Sequence, residues 1–147
     1  MSNSELKVGQ VLWLKVRYQI DKVADVKHPM LIANINNEYI EVIALDKTLG
    51  KMQNLYYPYN HYIDCENPKE EVIYEDSYAQ LNTKLTIENF EELKQFRKTT
   101  KCMSKDKLED LLKDYWEYQE DNRIKEERIV HMDKEEILFL NSLVVNC

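Results

Sequence analysis

The chain has 147 residues, of which 44% are hydrophobic and 32% charged, and its formal net charge is −7. That length fits one domain with a real core, and no apolar run approaches the ~18 residues of a membrane-spanning helix. The start, Met1 to Lys7, has neither the basic opening nor the apolar centre of an export signal, so a cytoplasmic protein with no membrane partner is expected.

Only two glycines occur, Gly9 and Gly50, so neither glycine-rich phosphate-binding loop can be written. The cysteines Cys65, Cys102 and Cys147 are odd in number and form no Cys-x-x-Cys pair. They read as free thiols rather than as a disulfide framework or a zinc site, and no metal or cofactor is expected. The charge is uneven: residues 1–70 carry 8 basic against 9 acidic side chains, and residues 71–147 carry 12 against 18. An acidic chain is a poor general binder of nucleic acid, because phosphate affinity comes from Lys and Arg. One basic stretch stands out: Lys94, Arg97, Lys98, Lys101, Lys105 and Lys107 oppose only Asp106, whereas 109–127 is strongly acidic.

The first half reads as strands. Gln10 to Tyr18 places Val11 and Trp13 on one face and Leu12, Leu14 and Val16 on the other, the pattern of a strand packed on both sides, as in a small barrel. Residues 19–27 read as a loop or irregular insertion. Met30 to Ile35 and Glu38 to Leu45 form a hairpin across Asn36-Asn37, since asparagine suits a tight turn. Lys47 to Asn54 is a polar loop. The segment 55–64 holds Tyr56, Tyr57, Tyr59 and Tyr62, and Pro58 marks it as an edge or broken strand. Asn67-Pro68 marks a turn. Val72 to Tyr74 and Ser77 to Leu81 follow as further strand, and Thr83 to Ile87 as the last strand of the barrel.

The second half reads as helical. Glu88 to Arg97 is a short helix with Phe90, Leu93 and Phe96 on one face. Ser104 suits an N-cap, and Leu108, Leu111, Leu112, Tyr115 and Trp116 recur at helical spacing toward about Lys125. Asp133 with Glu136 is a capping box in its Asp form, opening a final helix that carries Ile137, Leu138, Leu140, Leu143 and Val144. The expected fold is α+β in one domain, 1–147: a small SH3-like β-barrel over about 8–90, then a helical extension over about 91–147.

Four segments, in order, carry a resemblance. Val8-Gly9-Gln10-Val11-Leu12-Trp13 looks like a Gly-Asp-Ile-Val-Trp opening strand, and Lys27-His28-Pro29-Met30-Leu31-Ile32 like an Arg-Pro-Val-Leu-Val-Ile strand. Glu41 to Asp46 is similar to a strand that ends in Thr, and Asp76 to Thr83 resembles an Asp-Ser-Tyr-Val-Leu-Leu strand pair. Together they resemble the MazF/PemK toxin family. The ToxN-type ribonucleases, which carry extra helices on this barrel, resemble the layout too. Residues 100–147 match nothing in the family pattern.

The resemblance implies a PemK-type barrel, a homodimer, an antitoxin partner (protein or RNA) and metal-independent cleavage of single-stranded RNA by the ribose 2′-hydroxyl. Such cleavage needs proton transfer and a cation against the phosphorane charge. The family's arginine before the proline is replaced here by His28, which can transfer protons near neutral pH but lacks the bidentate phosphate grip of arginine. Lys27 beside it supplies charge. The family threonine aligns with Asp46, or with Thr48 in a slipped register. Lys47, Lys51, Tyr57, Tyr59 and His61 are the remaining candidate RNA contacts. The plainer alternatives stand beside these: His28 as a surface residue at a strand start, His61 as a packing or hydrogen-bonding residue, His131 as merely exposed, and the tyrosines as barrel wall rather than base-stacking platform. A different class of function also fits, a non-catalytic barrel that binds a protein through its acidic helices or its tyrosine-rich strand.

Overall fold

The computed structural model describes residues 5–65, 73 and 75–141. The turn expected at Asn67-Pro68, Val72 and Tyr74 of the expected strand, and Leu143, Val144 and Cys147 lie outside the described residues. Among the described residues, nine strands and two α-helices follow in chain order: β1 Val11–Leu14, β2 Arg17–Gln19, β3 Lys22–Val23, β4 His28–Ile35, β5 Tyr39–Lys47, β6 Asn60–Ile63, β7 Ser77–Gln80, β8 Lys84–Glu88, α1 Lys105–Asp121, β9 Ile129–Met132 and α2 Lys134–Leu140. Short 3-10 turns occupy Met52–Tyr56, Glu91–Phe96 and Glu126–Arg128.

The organising element is β5. Its first half pairs with β8 (Tyr39 opposite Glu88, Val42 opposite Leu85), and its second half pairs with β7 (Leu45 opposite Ala79, Lys47 opposite Ser77). Its other edge pairs with β4, with a bulge between Ile32 and Asn34. The hairpin turn is held by Asn36, whose Oδ1 accepts from the backbone N–H groups of Glu38 and Tyr39, both at 2.9 Å. β1 extends the sheet beyond β4, and β6 lies beyond β7 at an edge, as the proline in its approach predicts.

Alternation along these strands separates two cores. Leu12, Leu14, Met30, Ile32, Ile40, Val42, Leu85 and Ile87 face one side and are covered by Leu93, Phe96, Val130, Met132 and Ile137. Val11, Leu31, Ile43, Leu45 and Ala79 face the other and are covered by Met103 and by Leu111 and Tyr115 of α1. The two-sided burial expected from the first strand is therefore present, with a helix over each face. The observed class is mixed α+β. The strand ladders do not close into a barrel among the described residues; β1 adds only an isolated bridge, Leu12 to Arg97.

The second half departs from the helical expectation. β9 pairs in parallel with β8, Lys84 opposite Ile129 through Ile87 opposite Met132, so the tail completes the sheet and β8 is not its last strand. The insertion at 19–27 is likewise ordered, because β2 and β3 pair and dock on that tail. Arg17 Nε bonds Glu136 Oε2 at 2.7 Å, Arg17 Nη2 donates to His131 O at 3.1 Å, and Ile20 N donates to Glu127 O at 2.9 Å. Glu136 thus supplies only half of the expected capping box. Its N–H donates to Asp133 Oδ1 at 2.9 Å, while its carboxylate turns to Arg17.

Helix α1 ends at Asp121, earlier than expected, where Asn122 adopts extended backbone. Ser104 makes no side-chain capping bond. Trp116, expected on the apolar face, is 41% exposed and meets Tyr115 edge-on. The short helix expected over Glu88 to Arg97 is replaced by the end of β8 and a 3-10 turn at Glu91–Phe96, yet Leu93 and Phe96 still reach the core.

Candidate active-site cleft

β4 and β5 run antiparallel with Met30 opposite Ala44. Continuing that register by two residues brings His28, at the start of β4, level with Asp46, near the end of β5. A cleft of about 250 Å³ at this end of the sheet is lined by Trp13, Lys27, His28, Asp46, Lys47 and Glu75, among others. A second, of about 430 Å³, shares His28 and Asp46 and adds Asp25, Lys51 and Gln80. Five of the residues singled out from sequence, Lys27, His28, Asp46, Lys47 and Lys51, therefore converge on one region. Strand alternation and a shared register put them there, although the two segments are 18 residues apart in sequence.

Asp46 is tightly held. Its Oδ2 pairs with Lys51 Nζ at 2.7 Å and accepts a longer bond, 3.4 Å, from the Tyr78 hydroxyl; its Oδ1 accepts from Lys47 N at 2.9 Å. The hydrogen bond to Asp46 holds the Lys51 ammonium above its ordinary pKa. Burial, foremost, raises the Tyr78 phenol. A carboxylate that would repel RNA is thus offset by a fixed cation, and Asp46 acts on Lys51 more directly than on solvent. The acids Asp25 and Glu75 counter the lysines, so the cleft as a whole is close to charge balance.

The structure does not bring Thr48 to these clefts. It is 5% exposed, and both its N–H and its hydroxyl donate to Asp76 O, at 3.0 and 3.4 Å. His61 also lies apart: its Nδ1 is 2.6 Å from Asp114 Oδ2 and its Nε2 3.6 Å from Asp110 Oδ2, which clips β6 to α1 and surrounds the ring with carboxylates. Tyr57 and Tyr59 precede β6 and stack on each other, with ring centroids 5.2 Å apart and planes 11° from parallel. Tyr56, Tyr57 and Tyr62 are substantially exposed rather than barrel wall.

Much of the basic stretch 94–107 is spent within the fold. Lys98 lies 4.0 Å over the Trp13 ring, Arg97 donates to Gln10 Oε1, Lys107 to Asp64 O, and Lys94 pairs with Glu91. His131, on β9, bonds the Thr86 hydroxyl at 2.8 Å.

Sequence reasoning named Tyr57 and Tyr59 but missed the other polar side chains that gather with them beyond Lys51. Asn54, Tyr57, Tyr59, Asn60, Tyr78, Gln80, Asn82 and Arg128 line a cleft of about 150 Å³, which adjoins another holding Arg123 and Lys125. Arg123 and Lys125 fall inside the acidic span and Arg128 just beyond it, where a running charge sum hides them.

No protein-family model, curated protein or solved structure matches the chain. Among the described residues, no helix is long and apolar enough to cross a membrane, and no group of three or more His, Cys, Asp or Glu is placed to hold a metal ion.

Proposed function

We propose that the protein is a toxin-type, metal-independent endoribonuclease on a MazF/PemK-like barrel, acting on single-stranded RNA in the cytoplasm as a homodimer that an antitoxin restrains. The observation that supports this reading is the convergence of Lys27, His28, Asp46 and Lys47 on one cleft. In this reading the ribose O2′ attacks phosphorus and the P–O5′ bond breaks. His28 takes the hydroxyl proton and delivers it to the departing O5′, leaving a 2′,3′-cyclic phosphate and a 5′-hydroxyl. Lys27 and Lys47 stand against the phosphorane charge. Asp46 fixes Lys51 at the edge of the cleft.

The test is incubation of purified protein with single-stranded RNA in excess EDTA, with the new ends analysed. Cyclic phosphate and 5′-hydroxyl ends are expected, and His28→Ala is expected to slow cleavage by about 10²-fold or more, the usual contribution of a positioned proton-transfer group. Intact RNA, or cleavage unaffected by His28→Ala, refutes the reading. Intact RNA is the outcome expected of the non-catalytic protein-binding module, which the near balance of charge in the cleft favours.

A further inference from the structure

We infer that the cleft between the Tyr57–Tyr59 stack and Arg128 is a nucleotide-binding subsite that takes one base and the adjoining phosphate of single-stranded RNA. The inference rests on the ribonuclease reading and deepens it, since Gln80 lines both this cleft and the one that holds His28 and Asp46. Gln80 is thus the wall common to the two clefts.

Three kinds of group meet there, and each suits one part of a nucleotide. Tyr57 and Tyr59 form a preorganised aromatic stack, and Tyr57 is 48% exposed, so a base can extend the stack. Asn60 and Asn82 bring amides, which carry both donors and acceptors for a base edge. The Asn60 amide nitrogen is already engaged, donating to Asn54 O at 2.9 Å. Arg128 completes the wall and leads through shared Tyr59 and Asn82 into a space of about 260 Å³ that holds Arg123 and Lys125.

The electrostatics point the same way. The chain carries 27 acidic residues, yet among the described residues neither of these two adjoining spaces is lined by an Asp or a Glu. Glu126 and Glu127 line a different hollow, beside Ile20, which Arg123 and Lys125 also border. Arg128 lines both of these carboxylate-free spaces, and such a cation in an otherwise acidic protein suits a phosphate. The stacking and amide groups beside them favour a nucleotide over a simple anion.

The probe is a fluorescein-labelled, mixed-sequence 2′-O-methyl hexanucleotide, which lacks the attacking hydroxyl and cannot be cut by the proposed reaction. Binding is read by anisotropy across a salt series. Tyr57→Ala is expected to weaken binding about 5- to 150-fold, the range of one base–aromatic stack. Arg128→Ala is expected to lower the slope of log affinity against log salt by about 0.7, one phosphate contact to a single strand. Lys7→Ala, a charge loss elsewhere, is expected to change neither.

Wild-type protein that fails to bind the probe, or that binds it with Tyr57→Ala and Arg128→Ala both indistinguishable from wild type, overturns the subsite. Cleavage of unmodified RNA is scored separately. Binding that depends on these residues without cleavage leaves the subsite standing and refutes the reaction. Cleavage with neither residue mattering to binding does the reverse.

Discussion

Replacing Tyr115 by phenylalanine is expected to unfold the protein under conditions where the wild type survives, although only one oxygen is lost. Tyr115, on the inner face of α1, is fully buried, and its hydroxyl donates to Glu41 Oε2 at 2.5 Å; Glu41 sits on β5 with only 5% of its surface exposed. Burial, together with the carboxylate beside it, pushes the phenol far above its ordinary range, so the group stays a donor at any ordinary pH. Tyr115→Phe leaves the carboxylate buried without that donor. Hydrogen bonds to charged groups contribute about 1.5–3 kcal/mol, and a buried carboxylate left without its donor falls at the top of that range, so a loss of about 3 kcal/mol is expected.

For a chain of this size that lowers Tm by roughly 6–12 °C. In urea it moves the midpoint down by about 1–2 M with little change in the m-value. Pairing the change with Glu41→Leu removes the charge that was stranded, so the double variant is expected to recover most of the loss. A single variant within about 0.5 kcal/mol of wild type, or a double variant no more stable than the single, would refute the argument. Alkaline pH gives an independent reading. The unfolded chain releases the Tyr115 proton above about pH 10 while the folded chain retains it, so stability falls as pH rises through that range, and Tyr115→Phe removes this share of the fall.

Other outcomes follow from single positions. Asn141→Ala is expected to cost about 2 kcal/mol in urea unfolding, because the Asn141 amide accepts from Lys15 N at 2.8 Å and donates to Lys15 O at 3.1 Å, standing in for a strand at the end of β1. Gly9→Ala is expected to cost about 1–3 kcal/mol by the same measure: Gly9 has φ of +96°, and an added Cβ would lie 2.9 Å from Leu108 Cδ2. The Asp76 carboxylate is held below its ordinary range, first by the Cys65 N–H and then by the Tyr62 hydroxyl. Its contribution is present above the unfolded pKa near 4 and lost as pH falls, so Asp76→Asn should flatten the acid limb of a Tm-against-pH curve.

The sheet was legible where the chain states its own geometry. Leu12, Leu14 and Val16 alternate with Val11 and Trp13, which foretells burial on both faces. The Asn36-Asn37 turn sets the register at the tip of the β4–β5 hairpin, and the bulge between Ile32 and Asn34, which the sequence does not announce, shifts it by one residue and brings His28 level with Asp46. What was hidden depends on distant partners. Ile129 to Met132 is four residues beside a helix cap, and only pairing with β8 makes it a strand. Thr48 is polar and close to Asp46 in sequence, yet its hydroxyl and N–H are both taken by Asp76 O. His61 looks like an RNA contact until α1 brings Asp110 and Asp114 against it. The Arg123–Arg128 cluster is diluted by the glutamates between, and only the fold sets Arg128 against spaces that, among the described residues, no carboxylate lines, while Arg123 and Lys125 also border the hollow of Glu126 and Glu127.

The parallel pairing of β8 with β9 has a consequence for how the protein is made. Lys84 and its partner Ile129 are 45 residues apart, so a ribosome adding about 5–20 residues per second needs roughly 2–9 s between them. Throughout that interval the nascent chain presents β8 as a bare strand edge beside a half-covered apolar face, the arrangement most prone to pair with a neighbour. Synthesis rate and chaperone supply, rather than the stability of the finished molecule, then set the yield of folded protein. A chain stopped short of Ile129 is left with the open edge permanently.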